Sequence, residues 1–348
     1  MSERFLVFTD GLLLHEDAKT GIGAIRYLPE QVVAVIDPPT AGATVQAVLG
    51  FSGSIPIVKD LAEGLRHDPD ALLVGVAPAG GRLSDEWRRL CIQALEAGLD
   101  LWSGLHDPLA ADPEIANAAR SGAAIHDLRR VPEDLPVATG AAAGVAASVV
   151  LTVGSDCAVG KLTAAVELVW ELERAGVDAA LVPTGQTGIL LAGWGIAVDA
   201  VKSDFMAGAA EALVLQAARR SPEVLVVEGQ GALTHPGYSG VTLGLLHGAM
   251  PTGMVLCHEA GRVRHSGVEY EWTTLPNLDE VVHMYEAAAA WVRPANVLAV
   301  ALDTHRLDEQ AARAAVEDAA TATGLPATDP VRYGAGPLAT AVREALIA

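Results

Sequence analysis

The chain has 348 residues, enough for two domains of ordinary size, each with its own core. Forty-three acidic against 23 basic residues give a formal net charge of −20, which argues against a nucleic-acid partner or an anionic membrane surface, since both need a basic face. Three widely spaced cysteines, Cys91, Cys157 and Cys257, make neither a disulfide framework nor a cysteine zinc site. The opening Met-Ser-Glu-Arg-Phe lacks a charged region with an apolar signal core, and no uncharged apolar run reaches membrane-spanning length, so the expectation is a soluble, cytoplasmic protein.

Residues 1 to about 130 alternate short apolar runs with helical patterns. Phe5–Phe8, Val32–Ile36, Ala71–Val76 and Leu99–Trp102 read as strands; Thr44–Leu49, Val58–Leu65 and Ser84–Ala97 read as helices. Buried strands interleaved with helices imply a parallel sheet and a Rossmann-like domain. Ligands meet such sheets at the carboxyl ends of the strands. Three polar turns follow strands there: Asp37–Gly42, Ala77–Arg82 and Ser103–Asp107. Asp37 is a candidate to hold a ribose, against the plainer reading of tight turns built from Gly and Pro. Arg129–Pro136 turns charged and Pro-bearing, and it divides a Rossmann-like domain, 1–135, from a second α/β domain, 136–348.

The second domain opens on Val149–Val153, a β-branched run. It breaks at Gly154-Ser155-Asp156-Cys157-Ala158-Val159-Gly160-Lys161-Leu162-Thr163 and passes into an Ala- and Leu-rich helix. Strand, Gly-bearing loop and helix in that order form the context of a phosphate-binding loop. Loop amides and the helix dipole receive the anion, and Lys161 adds a full charge. Spacing departs from G-x-x-x-x-G-K-[ST]: the first Gly falls one residue early, at Gly154, and Leu162 takes the hydroxyl position, with Thr163 following. Phosphate binding survives that change; metal binding by the loop hydroxyl is placed in doubt.

Ala179–Val182 reads as the next strand, running into a loop rich in hydroxyls and amides, Pro183–Gly188. Ser203 or Asp204 reads as the cap of a helix through Arg219. Val224–Val227 ends on Glu228, where phosphate-loop proteins place a metal- or nucleophile-orienting acid; His235 lies in the loop beyond. Met254–His265 is the densest polar cluster, and side chains alternate along a strand, so Cys257, His258 and Glu259 cannot all face one metal. Asn296–Thr304 is the last clear strand. Helices are expected at Asp308–Ala322 and Pro337–Leu346, with a loop at Gly324–Gly334.

Gly154–Lys161 with Val226-Val227-Glu228-Gly229-Gln230-Gly231 is similar to the paired motifs of dethiobiotin synthetase-like P-loop proteins. Together with Ala77–Leu83, Ser103–Asp107, Ser203–Phe205, Leu256–Ala260 and Thr328–Arg332, the chain resembles a two-domain family called domain of unknown function 1611. That family includes D-glutamate N-acetyltransferases. The resemblance implies an α/β fold, a Rossmann-like parallel-sheet domain followed by a P-loop NTPase-like domain. It also implies acetyl transfer from acetyl-CoA to the amine of an acidic amino acid, with D-glutamate as the substrate.

An attacking amine must be neutral, so a base is needed; Glu228, Asp204 and His258 are candidates in that order. Loop amides around Gly185–Gly188 or Gly229–Gly231 are candidate donors to the oxyanion. Thr184, Gln186, Thr187, Arg262 and Arg264 are candidate substrate contacts, the arginines by bidentate pairing with a carboxylate. The rival reading is an ATP-dependent ligase or kinase in which Lys161, Thr163, Asp156 and Glu228 hold Mg-ATP. A third is a nucleotide sensor without chemistry. A homo-oligomer is expected from the 51% apolar content and from the habits of related P-loop enzymes.

Overall fold

A computed structural model describes residues 3–77, 83–119, 122–270 and 272–346. The chain forms two compact units, Met1–Arg130 with Ile189–Ala200, and Val131–Gly188 with Val201–Ala348. A single break near residue 135 does not anticipate the excursion of 189–200 into the first unit.

The first unit holds β1 (Phe5–Phe8), β2 (Val32–Ile36), β3 (Ile57–Val58), β4 (Ala71–Val74), β5 (Asp100–Ser103) and β6 (Ile125–Asp127). They pair in parallel in the order β3-β2-β1-β4-β5-β6. Leu6, Val7, Val35, Leu72 and Leu73 have no exposed surface, as expected of strands covered on both faces. Its helices are α1 (Lys19–Tyr27), α2 (Val45–Leu49), α3 (Leu61–Gly64), α4 (Asp85–Glu96) and α5 (Pro113–Ala118). Ile57 and Val58 join the sheet edge, so the expected helix at 58–65 is shorter; it starts at Leu61, where the Asp60 carboxylate accepts from the Glu63 amide at 2.9 Å.

The polar turns of this sheet are largely self-contained. Asp37 is 1% exposed and accepts from the Thr9 hydroxyl (2.8 Å), the Thr40 hydroxyl (2.6 Å) and the Leu13 amide (3.3 Å). Both carboxylate oxygens are occupied, so the expectation of a ribose-holding Asp37 gives way to a carboxylate that ties two turns together. Ser103 Oγ accepts from the Leu105 amide at 3.1 Å, and Arg129 Nε donates to the Gly104 carbonyl at 2.7 Å. Of the third turn, 78–82 lie outside the described residues.

The second unit holds β7 (Ser148–Gly154), β8 (Ala179–Val182), β9 (Val224–Val227), β10 (Gly253–Glu259), β11 (Asn296–Asp303) and β12 (Ala327–Thr328). They too run parallel, in the order β12-β11-β10-β7-β9-β8. The helices from here on are α6 (Lys161–Arg174), α7 (Gln186–Ala192), α8 (Ser203–Ala218), α9 (Ser239–Ala249), α10 (Leu278–Ala290), α11 (Glu309–Thr323) and α12 (Gly336–Leu346). Ser203 and Asp204 are not the cap of α8: Lys202 holds that position, no side chain caps it, and both residues lie in the first turn. The Gly324–Gly334 segment is pinned to the end of β11, where Asp329 accepts from the Thr304 amide (3.0 Å) and hydroxyl (2.6 Å).

α8 and α9 pack through small residues. A Cβ on Gly248 would come within 2.1 Å of the Ala207 carbonyl oxygen, and one on Gly244 within 2.8 Å of the Met206 Cβ. Among the described residues, no helix is long and apolar enough to cross a membrane.

Candidate active site at the phosphate loop

β7 lies between β9 and β10, so the ends of three neighbouring strands meet where the loop begins. The register sets Leu151 beside Val227 and Gly154 beside Cys257. The loop is compact. Gly154 is required where it stands, because a Cβ there would lie 2.8 Å from both the Asp156 carbonyl oxygen and Lys161 Nζ. Ala158 and Gly160 take left-handed φ values of 53° and 83°, which fold the backbone back toward the start of α6. Lys161 is the first residue of α6; its Nζ arches back to donate to the Asp156 carbonyl at 2.7 Å, and the residue is only 8% exposed. A helix N-terminus and an ammonium group therefore lie together at the loop, which is the chemistry of an anion cradle. Leu162 and Thr163 are half-buried in the first turn of α6.

The loop is stapled to the exit of β10. Asp156, with no exposed surface, accepts from Arg262 Nη1 at 2.8 Å and from the Ser266 amide at 2.8 Å, and pairs with His265 Nδ1 at 2.8 Å. Burial by itself would raise the Asp156 carboxyl; the bonds from His265, Ser266 and Arg262 outweigh it and leave the group below the usual carboxylate range. Arg262 also donates to the Cys157 carbonyl at 2.9 Å and pairs with Glu259, which Arg306 approaches at 3.4 Å from its other side. Burial would lower the Arg262 pKa, but these two carboxylates carry it above its ordinary value. The guanidinium expected to receive a substrate carboxylate is thus already engaged, and it shapes the phosphate loop instead. Arg264 is exposed, two residues farther on.

Ser155 Oγ lies 2.8 Å from His258 Nδ1. Burial, reinforced by Arg262 and opposed by Asp156, lowers His258 to about 4, so its ring is neutral at pH 7.

On the β9 side, Glu228 is 6% exposed, and its Oε2 accepts from the Thr184 and Gly185 amides, both at 3.0 Å. The Thr184 hydroxyl donates to the Glu228 carbonyl at 2.8 Å, and Gln230 Nε2 donates to the Thr184 carbonyl at 2.6 Å. The Gly185 amide, expected among the oxyanion donors, is spent on Glu228; the Gly229 amide is spent on Thr152 Oγ1 at 2.9 Å. The Thr184 hydroxyl is likewise internal, whereas Gln186 and Thr187 open α7. Asp204 stands exposed on α8, and no hydrogen bond among the described residues ties it to the loop.

One contributor carries no signal in the sequence beyond a lone aromatic in an apolar helix. Tyr285 of α10 is fully buried; its hydroxyl donates to the Gly154 carbonyl at 2.7 Å and receives the Leu233 amide at 3.2 Å. Burial raises its pKa above the ordinary phenol value.

With that geometry in hand, residues 136–339 match the domain described as Domain of unknown function (DUF1611_C) P-loop domain. The chain belongs to the DUF1611 family. Residues 38–131 match that family's N-terminal part, described as a Rossmann-like domain. A crystal structure of a DUF1611 family protein from Anabaena variabilis is 38% identical, covers 99% of this chain and 100% of its own, and has a TM-score of 0.94. A protein of Tritonibacter scottomollicae named D-glutamate N-acetyltransferase is 36% identical over 93% of this chain and 94% of its own. A protein of Pseudoalteromonas with the same name is 32% identical over 79% of this DUF1611 chain and 81% of its own.

Proposed function

We propose that this DUF1611 protein is an acyltransferase that moves an acetyl group from acetyl-CoA to the amine of an acidic amino acid, D-glutamate. The observation that carries the reading is the pair of relatives bearing that name, matched over 93% and 79% of this chain. The site is chemically suited to it: CoA presents a pyrophosphate and a ribose phosphate, and the left-handed bend ending in Lys161 is a receptor for such groups. In the reaction the amine nitrogen forms a bond to the acetyl carbon, the carbon–sulfur bond breaks, and the thiolate takes a proton. The ammonium group must first give a proton to a base. Glu228, Asp204 and His258 are the candidates; lowering to about 4 makes the His258 ring a weak base toward an ammonium group, and Glu228 spends one oxygen on two amides.

The test is to incubate the protein with acetyl-CoA and D-glutamate without ATP, following free thiol, and separately with ATP and the amino acid, following phosphate. Thiol release dependent on D-glutamate is expected. Amino-acid-dependent phosphate release with no thiol would replace this reading with the ligase or kinase. Lys161→Ala should weaken CoA binding by roughly 10- to 100-fold, the worth of one charged contact to phosphate, as read by calorimetry.

A further inference from the structure

Three side chains that the acyl-transfer reading leaves idle meet behind the phosphate loop. They are Asp156 from the loop, His235 from the turn after β9, and His265 from the segment after β10; one donor atom from each lies within 4.8 Å of the others. All three are buried, at 0%, 1% and 5% exposure. The two imidazole rings stand edge to face with centroids 4.9 Å apart.

A second observation is independent of that convergence. His235 Nε2 is buried and makes no hydrogen bond. Its Nδ1 accepts from the Gly237 amide at 3.1 Å, so in the ion-free state the proton sits on Nε2. A buried donor left without a partner costs about 1–3 kcal/mol. With Nδ1 accepting and its one proton on Nε2, the ring is in the neutral form, which ligates metals.

We propose that Asp156, His235 and His265 form a site for a divalent transition-metal ion of the zinc class. Two imidazoles and one carboxylate suit such an ion better than magnesium, which takes oxygen ligands. Three protein ligands leave a fourth position for water or an anionic oxygen, as in sites that do chemistry. Ligand nitrogens and oxygens lie about 2.0–2.2 Å from zinc, so the three donors close in slightly when the ion enters. Binding through Nε2 requires the other neutral tautomer: the single ring proton moves to Nδ1, none is released, and the Gly237 amide gives up its contact. Asp156 keeps Arg262 and Ser266 on its Oδ2, and that arrangement orients its Oδ1 toward the histidines.

The site shares Asp156 with the phosphate loop but rests on none of the acetyl-transfer chemistry, and its test reads metal alone. Tag-free protein is stripped with a chelator and titrated with Zn²⁺ by calorimetry and with Co²⁺ by visible absorption. One equivalent is expected, with the intense band of a low-coordinate Co²⁺ site. His235→Gln and His265→Gln should each weaken binding by about 100-fold or more, beyond the roughly 10- to 100-fold cost of losing an outer-shell partner. A variant at the half-buried group Glu3, Asp100 and His126 of the first sheet, His126→Gln, should bind as the parent does. Wild-type protein labelled with ¹⁵N-histidine gives a readout that no unfolded variant can spoil: Zn²⁺ should shift two of the ten imidazoles to metal-bound values. No stoichiometric binding, binding retained in both variants, or binding lost with His126→Gln would overturn the proposal.

Discussion

Asp37 and Asp156 each lie buried just beyond the end of a parallel strand, yet their surroundings differ in kind. Asp37 is held by two hydroxyls and an amide, and it organises only its own turns. Asp156 is held by a guanidinium, an imidazole and an amide, contributed by residues more than a hundred positions away. Topology alone therefore does not say which sheet edge carries chemistry. The difference lies in the concentration of buried charge: at the end of β7 the fold keeps Lys161, Asp156, Arg262 and Glu259 together, in a chain whose overall charge already opposes an anionic ligand.

The sharpest way to break this comparison is to make the same change at both sites. Asp156→Asn leaves Arg262 and His265 facing an amide, and should cost about 3–5 kcal/mol in denaturant unfolding, as for a broken buried ion pair. Asp37→Asn keeps an acceptor for neutral donors and should cost about 1–3 kcal/mol. Equal losses would mean that the charged web adds nothing to the loop.

A second contrast is with pH. His258 is lowered from 6.5 to about 4, so between those values the unfolded chain holds a proton that the folded chain lacks. The stability this group contributes is complete above pH 6.5, falls as pH drops toward 4, and amounts to about 3 kcal/mol. His235, lowered by burial, acts in the same direction. His258→Asn should flatten the decline between pH 6.5 and 4 in unfolding curves; an unchanged slope would place the acid sensitivity elsewhere. The smallest effect is expected at Ala158, whose left-handed φ of 53° costs about 1–2 kcal/mol in a residue with a Cβ. Ala158→Gly should raise stability by about 0.5–1 kcal/mol once the greater freedom of the unfolded chain is subtracted, a shift readable as a small rise in Tm.

Most strands were legible because parallel strands covered on both faces are written as unbroken apolar runs, as in Val32–Ile36 and Val224–Val227. Helices rich in glycine were not. α1 carries Gly21, whose added Cβ would lie 3.3 Å from the Gly75 Cα, and α9 carries Gly244 and Gly248 against α8. Local propensity there argues against a helix, and close packing overrides it. In the site, Lys161, Glu228 and His258 could be named from residue type and position along strands. Their partners could not. That Arg262 answers Asp156, and that Glu228 spends an oxygen on Thr184 and Gly185, depends on the strand order β10-β7-β9-β8, which no local pattern encodes.

Arg262 has one more consequence. It joins the phosphate loop to the chain leaving β10 through the Asp156 carboxylate and the Cys157 carbonyl at once. A ligand loop fastened in this way cannot breathe as an independent flap; its amides should resist solvent exchange about as long as the neighbouring strands do, and let go when they do. Whatever docks there meets a mould already set, so recognition gives up little freedom in the protein, and selectivity falls to the fit of the incoming molecule.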